Sequence, residues 1–159
     1  MTITFNNSRR SKAMQNEIEL SLELHCPPEK TWAALTEPQL VQQYMFGSQV
    51  HSSWEAGESI EYSMDIEGKD VVVVNGIIEE IEEERLLVHS LFPTGSEMDD
   101  IPENYLHIKY EITETDNGSH LDILQWGFES VADGEKRYQD SIGGWDYLLK
   151  ELKSTAESA

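Results

Sequence analysis

An alternating strand followed at once by two proline-opened helices constrains this chain more than any other segment. From Asn16 to His25, Ile18, Leu20, Leu22 and Leu24 alternate with Glu17, Glu19, Ser21 and Glu23, the period-two pattern of a strand with one buried face. Residues 26–45, Cys-Pro-Pro-Glu-Lys-Thr-Trp-Ala-Ala-Leu-Thr-Glu-Pro-Gln-Leu-Val-Gln-Gln-Tyr-Met, then read as two short helices. Pro27 and Pro28 stand at a helix start, where the missing N–H costs nothing and the fixed φ is already helical. Glu29 suits the positive end of the helix dipole. Thr36 and Pro38 end this helix and begin the next, with Thr36 as the expected N-cap.

Beyond this opening the pattern is that of a sheet and one long helix. Ser48 to Trp54 reads as a short strand closed by the turn Ala56-Gly57-Glu58. Ser59 to Ile66 alternates Ile60, Tyr62, Met64 and Ile66 against polar neighbours, up to a turn at Gly68. Val71 to Ile81 is β-branched and interrupted by Asn75-Gly76, a pair that by itself could be a tight hairpin turn. Arg85 to Phe92 is a further strand, and Pro93 to Asn104 a long polar connection. Tyr105 to Thr115 and His120 to Phe128 pair through the hairpin turn Asp116-Asn117-Gly118. From Gly134 to about Ser154, Tyr138, Ile142, Trp145, Leu148, Leu149 and Leu152 form a helical apolar stripe. The order is strand, two helices, about six antiparallel strands and one helix, an α+β arrangement and not the alternation of a parallel sheet. The expected fold is a curved antiparallel sheet of six or seven strands around the C-terminal helix, with Ile142, Trp145, Leu149 and Leu152 facing it. The expected organisation is a flexible tail over 1–15, one domain over 16–154 and a short tail over 155–159.

With 159 residues, one domain is the simplest division. No apolar run approaches the ~20 residues of a membrane helix, and Arg9, Arg10 and Lys12 precede no apolar block, so a cytoplasmic protein is expected. A formal net charge of −20, from 31 acidic against 11 basic residues, excludes phosphate backbones and anionic membrane surfaces as partners, since the basic cluster is confined to the N-terminal segment. Cys26 is the single cysteine, so no intrachain disulfide or multi-cysteine metal site can form; its expected role is that of a small apolar group.

Chemistry-bearing clusters are sparse. His25, His51, His89, His107 and His120 fall on different strands without metal-ligand spacing, so ordinary strand positions are expected over a zinc site. Glu79, Glu80, Glu82, Glu83 and Glu84 lack the spacing and central glycine of a calcium loop and read as a solvated edge or turn. Glu97, Asp99, Asp100 and Glu103 read the same way. Neither a phosphate-binding glycine loop, a nucleophile elbow nor a catalytic triad spacing is present. The expectation is no catalytic residue, no metal and no cofactor.

Strand, Pro-Pro-Glu-Lys-x-Trp helix, Thr-x-Pro break and second helix together resemble the start of the helix-grip domains related to the activator of the heat-shock-protein-ninety ATPase, within the START-like (SRPBCC) superfamily. The resemblance continues through Gly57, through Gly76 with Ile78, Ile81 and Arg85-Leu86, through Trp126-Gly127-Phe128, and through Gly144-Trp145 and Leu152-Lys153, covering about 16–153 in family order. It implies a sheet gripping the last helix with a pocket between them, and places Gly76 within or beside a strand as a bulge, the reading favoured over a turn. Trp32, Tyr44, Tyr62, Tyr105, Tyr138 and Trp145 fall on elements that such an arrangement points toward one interior. His89, His107, Gln125 and Gly143 complete the expected pocket set. Gly143-Gly144 is costly inside a helix, roughly 1 kcal/mol per glycine relative to alanine, and leaves either close packing or a void. The chain departs from the family at Tyr44, Glu82-Glu83-Glu84, Ser90 and Gln125, which makes the implied pocket more polar. The implied function is non-catalytic binding of a small, largely apolar molecule by a monomer or homodimer. The alternatives are a chaperone-associated interaction module and a polyketide-cyclase-like enzyme, which requires a pocket His or carboxylate with a perturbed pKa and has His89 and His107 as the positions to test.

The charge yields a direct prediction: the protein binds neither DNA nor RNA. A salt-sensitive gel shift at micromolar protein that survives removal of residues 1–15 is the result that contradicts it.

Overall fold

The computed structural model describes residues 3–5 and 16–159. In chain order the elements are β1 (Ile3–Phe5), β2 (Glu17–Leu24), α1 (Pro28–Thr36), α2 (Pro38–Tyr44), β3 (Gln49–Ser52), β4 (Ser59–Ile66), β5 (Lys69–Glu82), β6 (Leu86–Pro93), β7 (Leu106–Thr115), β8 (Gly118–Trp126) and α3 (Gly134–Ser158), with a 3₁₀ turn at Pro102–Asn104. All neighbouring strands are antiparallel, in the order β1-β2-β8-β7-β6-β5-β4-β3. The seven strands from β2 to β8 form the expected α+β helix-grip sheet, and β1 adds an eighth at one edge.

Alternation decides which face is which. Ile18, Leu20, Leu22 and Leu24 of β2 are buried, as are Leu106, Ile108, Tyr110 and Ile112 of β7 and Leu121, Ile123 and Gln125 of β8. The register places Ile18, Gln125, Ile108, His89 and Ile78 in one row across five strands, so all five point to the same concave face. α3 lies against that face with Trp145, Leu149 and Leu152 buried and Ile142 packed at the margin of the core. Its 25 residues extend about 37 Å, enough to cross the sheet.

A buried polar knot fixes the helical opening to the sheet. Thr31 Oγ1 and Ser119 Oγ lie 2.8 Å apart, Ser119 Oγ donates to the Cys26 carbonyl at 2.8 Å, and Cys26 Sγ lies 3.5 Å from Thr31 Oγ1. Thr36 does not cap α2: its hydroxyl donates back to the Trp32 carbonyl at 2.9 Å, and Glu37 occupies the cap position without a side-chain bond. α1 therefore runs through Thr36 before Pro38 breaks it.

The chain ends depart from expectation in two places. Within the segment read as a tail, residues 3–5 pair with Leu20–Leu22 as β1; the remainder of 1–15 lies outside the described residues. At the other end, 155–159 is not a tail, because α3 continues to Ser158. Thr155 and Ala156 are buried, Lys153 Nζ donates to the Glu23 carbonyl and to Glu157 Oε2, both at 2.6 Å, and Glu157 Oε2 accepts the His25 N–H at 2.7 Å. These bonds pin the last turns to β2. Among the described residues no helix is long and apolar enough to cross a membrane.

Asn75-Gly76 is neither a turn nor itself the irregularity. β5 runs straight through the pair, and its two register shifts fall on either side, one between Val72 and Val74 opposite Tyr62/Ser63 and one between Ile78 and Glu80. Gly76 serves a close approach instead: a Cβ there would lie 1.8 Å from the Ser90 carbonyl oxygen. Replacing it forces two backbones apart in the middle of the sheet. Gly76→Val is expected to lower stability by at least ~2 kcal/mol, visible as a fall in melting temperature; an unchanged melt contradicts this account of Gly76.

Candidate functional site

Between the concave face and α3 lies a cavity of about 350 Å³, within the range of small-molecule sites. Its sheet wall comes from Tyr62 and Met64 of β4, Val73 and Val74 of β5, and His89 and Leu91 of β6. The bulge at Val73 explains how two consecutive valines reach one cavity, since an extra residue breaks the strand's alternation. Ile108, Tyr110 and Gln125 continue the wall across β7 and β8. Gly144, Trp145 and Leu148 of α3 close the opposite side, and Met45, Phe46 and Ser48 after α2 border it.

Trp145 anchors the helix here. Its Nε1–H donates to Gln125 Oε1 at 3.0 Å in a buried bond. One residue earlier, a Cβ on Gly144 would meet nothing within 4 Å, so the missing side chain leaves open space beside the anchor. Phe46 is exposed at 60% and in the left-handed region (φ 54°), and its ring stacks on Tyr147 of α3 at 5.4 Å. The two exposed aromatics join the α2–β3 segment to the helix beside the cavity.

The polar groups are few and deep. His89 is buried at 2% exposure, its Nδ1 lies 2.8 Å from the Ser90 carbonyl, and its Nε2 has no hydrogen-bond partner. A carbonyl can only accept, so Nδ1 carries the proton and Nε2 presents a bare lone pair. Leaving a buried acceptor unpaired costs about 1–3 kcal/mol. Burial pushes the His89 pKa down to about 4; the Ser90 carbonyl and Glu79 oppose this shift, and His107 adds to it. The rings of Tyr62 and Tyr110 flank His89 with centroids 6.1 and 6.3 Å away. Burial raises both phenols, above all that of Tyr110, so they remain neutral hydroxyls.

The sequence-derived pocket residues divide between this cavity and other places. Tyr62, His89, Gln125 and Trp145 line it together. Tyr44 is buried beside it but donates its hydroxyl to the Ala34 carbonyl at 2.7 Å, bracing α2 against α1. Trp32 packs at the edge of the core, and Tyr138 meets Phe128 edge-to-face at 5.2 Å. His107 stands on the opposite face of the sheet, stacked on Trp126 at 5.3 Å with Nδ1 2.7 Å from Glu79 Oε1. Gly143 is exposed, and Gly144 rather than Gly143 borders the cavity. Tyr110, Ile108, Leu91 and the Met45–Ser48 segment line it without having been singled out. The parity of β7 could have found Tyr110, because Leu106, Ile108 and Ile112 share its face.

Of the other histidines, His51 places Nε2 2.9 Å from Oγ of buried Ser63, and His120 bridges Glu23 and Asp122 at the surface. Arg85 binds Glu82 at 2.5 Å and Glu111 at 3.4 Å, drawing part of the acidic run into an exposed ion-pair cluster. Among the described residues no group of three or more His, Cys, Asp or Glu is arranged to hold a metal ion.

A curved antiparallel sheet gripping a long helix over an apolar cavity defines a START-like, helix-grip protein. The family model described as Activator of Hsp90 ATPase homolog 1-like protein matches residues 25–157, and the chain belongs to that family. A protein of Cytophaga hutchinsonii, known by its solution structure, is 30% identical, with a TM-score of 0.69 over 89% of this chain and 94% of its own. A Mesorhizobium loti protein known by X-ray crystallography has a TM-score of 0.70 at 19% identity, covering 90% of this chain and 98% of its own. An Arthrobacter aurescens protein solved by NMR reaches 0.71 at 10% identity, over 98% and 92%; these last two likenesses bear on the fold alone. No curated protein matches the sequence significantly.

The neutral His89 makes stability depend on pH. Between about pH 4 and 6.5 the unfolded chain binds a proton at this ring that the folded chain does not. Its contribution is therefore complete above about pH 6.5 and is lost as pH falls toward 4, by about 3 kcal/mol in full. Comparing wild type with His89→Leu at pH about 7.5 and 5.5, the wild type is expected to lose about 1 kcal/mol more on acidification. Equal losses in denaturant titrations contradict the assignment.

Proposed function

We propose that this protein binds a small, largely apolar molecule in the cavity between sheet and α3, without transforming it. The family's helix-grip fold is associated with hydrophobic ligand binding or with chaperone contact, and for this chain the binding reading rests on one observation. The α3 wall is left open at Gly144 while its neighbour Trp145 is fixed to Gln125. Two adjacent glycines weaken the helix by roughly 2 kcal/mol in total, and Gly144 does not offset this by close packing, since a Cβ there would touch nothing.

The lining supports binding over catalysis. It is mostly apolar with a few placed polar groups, as ligand sites are. The cyclase-like alternative needs a pocket His or carboxylate with a perturbed pKa; His107 lies on the face of the sheet away from the cavity, which leaves His89 as its histidine candidate. His89 is also a weak base, with its pKa near 4, and no carboxylate bonds to its ring.

Gly144→Leu tests the reading. The new side chain fills the space, so uptake of an apolar fluorescent probe is expected to disappear. Stability should hold or rise by about 1 kcal/mol, because a helix-interior glycine is removed. Gly143→Leu, on the exposed face, should gain similar stability and keep full uptake. A wild-type protein that takes up no probe, or a Gly144→Leu protein that takes it up unchanged, overturns the proposal.

A further inference from the structure

We propose that the cavity selects a neutral molecule of one or two rings that donates a hydroxyl hydrogen to His89 Nε2 and keeps an apolar body against the sheet wall. This rests on the binding function proposed above and adds the chemistry of the ligand. Size sets the first limit. About 350 Å³ lies at the small end of the range for small-molecule sites, a scale that one or two rings match.

The tautomer sets the second. Nδ1–H is committed to the Ser90 carbonyl, so the lone pair on Nε2 is the acceptor left for a ligand. Tyr62 and Tyr110 flank the ring without donating to it, and among the described residues Nε2 has no partner. A group that only accepts, such as an ether or ketone, gains nothing there.

Charge sets the third. No lysine or arginine lines the cavity, and its one acidic residue, Asp140, is exposed and paired with Lys136 at 2.7 Å. A buried anion would face no cation, and a buried cation no carboxylate. Gln125 adds a secondary preference. Its Oε1 is taken by Trp145, which can only donate, so its amide N–H groups are left to meet an acceptor on the ligand. Gln125 and His89 lie two strands apart, about 10 Å, so the two polar ends belong to different parts of the molecule.

Four naphthyl probes of nearly equal size separate the possibilities on the wild-type protein: 2-naphthol, 2-methoxynaphthalene, naphthalene and 2-naphthoate, titrated at pH about 7.5. The expected result is that 2-naphthol binds at least about tenfold tighter than the methyl ether or the hydrocarbon, with 2-naphthoate weakest. In His89→Leu the advantage of 2-naphthol over naphthalene should disappear, whatever the change in overall affinity. The wild-type ring supplies a readout that needs no variant: the ¹⁵N resonance of His89 Nε2 should move with 2-naphthol and not with naphthalene. If all four probes bind alike, lose binding in Gly144→Leu and leave the resonance unmoved, the hydroxyl selection is wrong and the cavity function stands. If no probe binds, or binding ignores Gly144→Leu, both fall.

Discussion

The Ser90 carbonyl oxygen lies where a side chain on Gly76 would have to be, and the same oxygen receives the Nδ1–H of His89. Three features follow from that one crowded position. β5 and β6 can approach closely only because position 76 carries no Cβ. Bulges on either side of Gly76 then take up the mismatch, one of them turning Val73 and Val74 together toward the cavity. The ring of His89 is locked in one tautomer, so the deepest polar atom of the site is an acceptor whatever the solvent does above pH 6.5. The Ser90 hydroxyl completes the arrangement by accepting the Ile77 N–H at 2.9 Å, a backbone donor that the irregular ladder would otherwise strand.

Much of this was legible in the sequence because alternation reports burial directly. The order of elements, the sheet's sidedness and the helix face followed from residues such as Ile18 to Leu24 and Trp145 to Leu152. Where reading stopped, the missing quantity was phase. Gly143 and Gly144 differ by one residue, but on a helix that is about 100° of rotation, which puts one in solvent and the other on the cavity. His107 fails in the same way on a strand, where one step from Ile108 reverses the face. Gly76 carried a different ambiguity, because Asn-Gly is a strong turn signal and only the partner strand shows that the pair sits opposite a carbonyl.

The acidic surface and the apolar cavity are kept apart by the sheet itself. Glu79, Glu80, Glu82 and Glu111 project from the strands away from the concave face or at its margin, with Arg85 and His107 as local partners. Exposed pairs of this kind contribute little to stability. The charged groups stay on the surface, and the cavity lining holds no lysine or arginine.

The two outermost strands of the sheet are also its shortest, three residues in β1 and four in β3, while every strand between them has at least eight. Unpaired strand edges template the addition of foreign strands, and long flat ones lead to aggregates. Here β1 pairs with Leu20–Leu22 of β2 and β3 with Ile60–Ser63 of β4, so each outermost strand exposes only a few backbone groups of its own. Among the described residues the apolar concave face is thus bordered by outer strands too short to present a long regular edge of their own to a second chain.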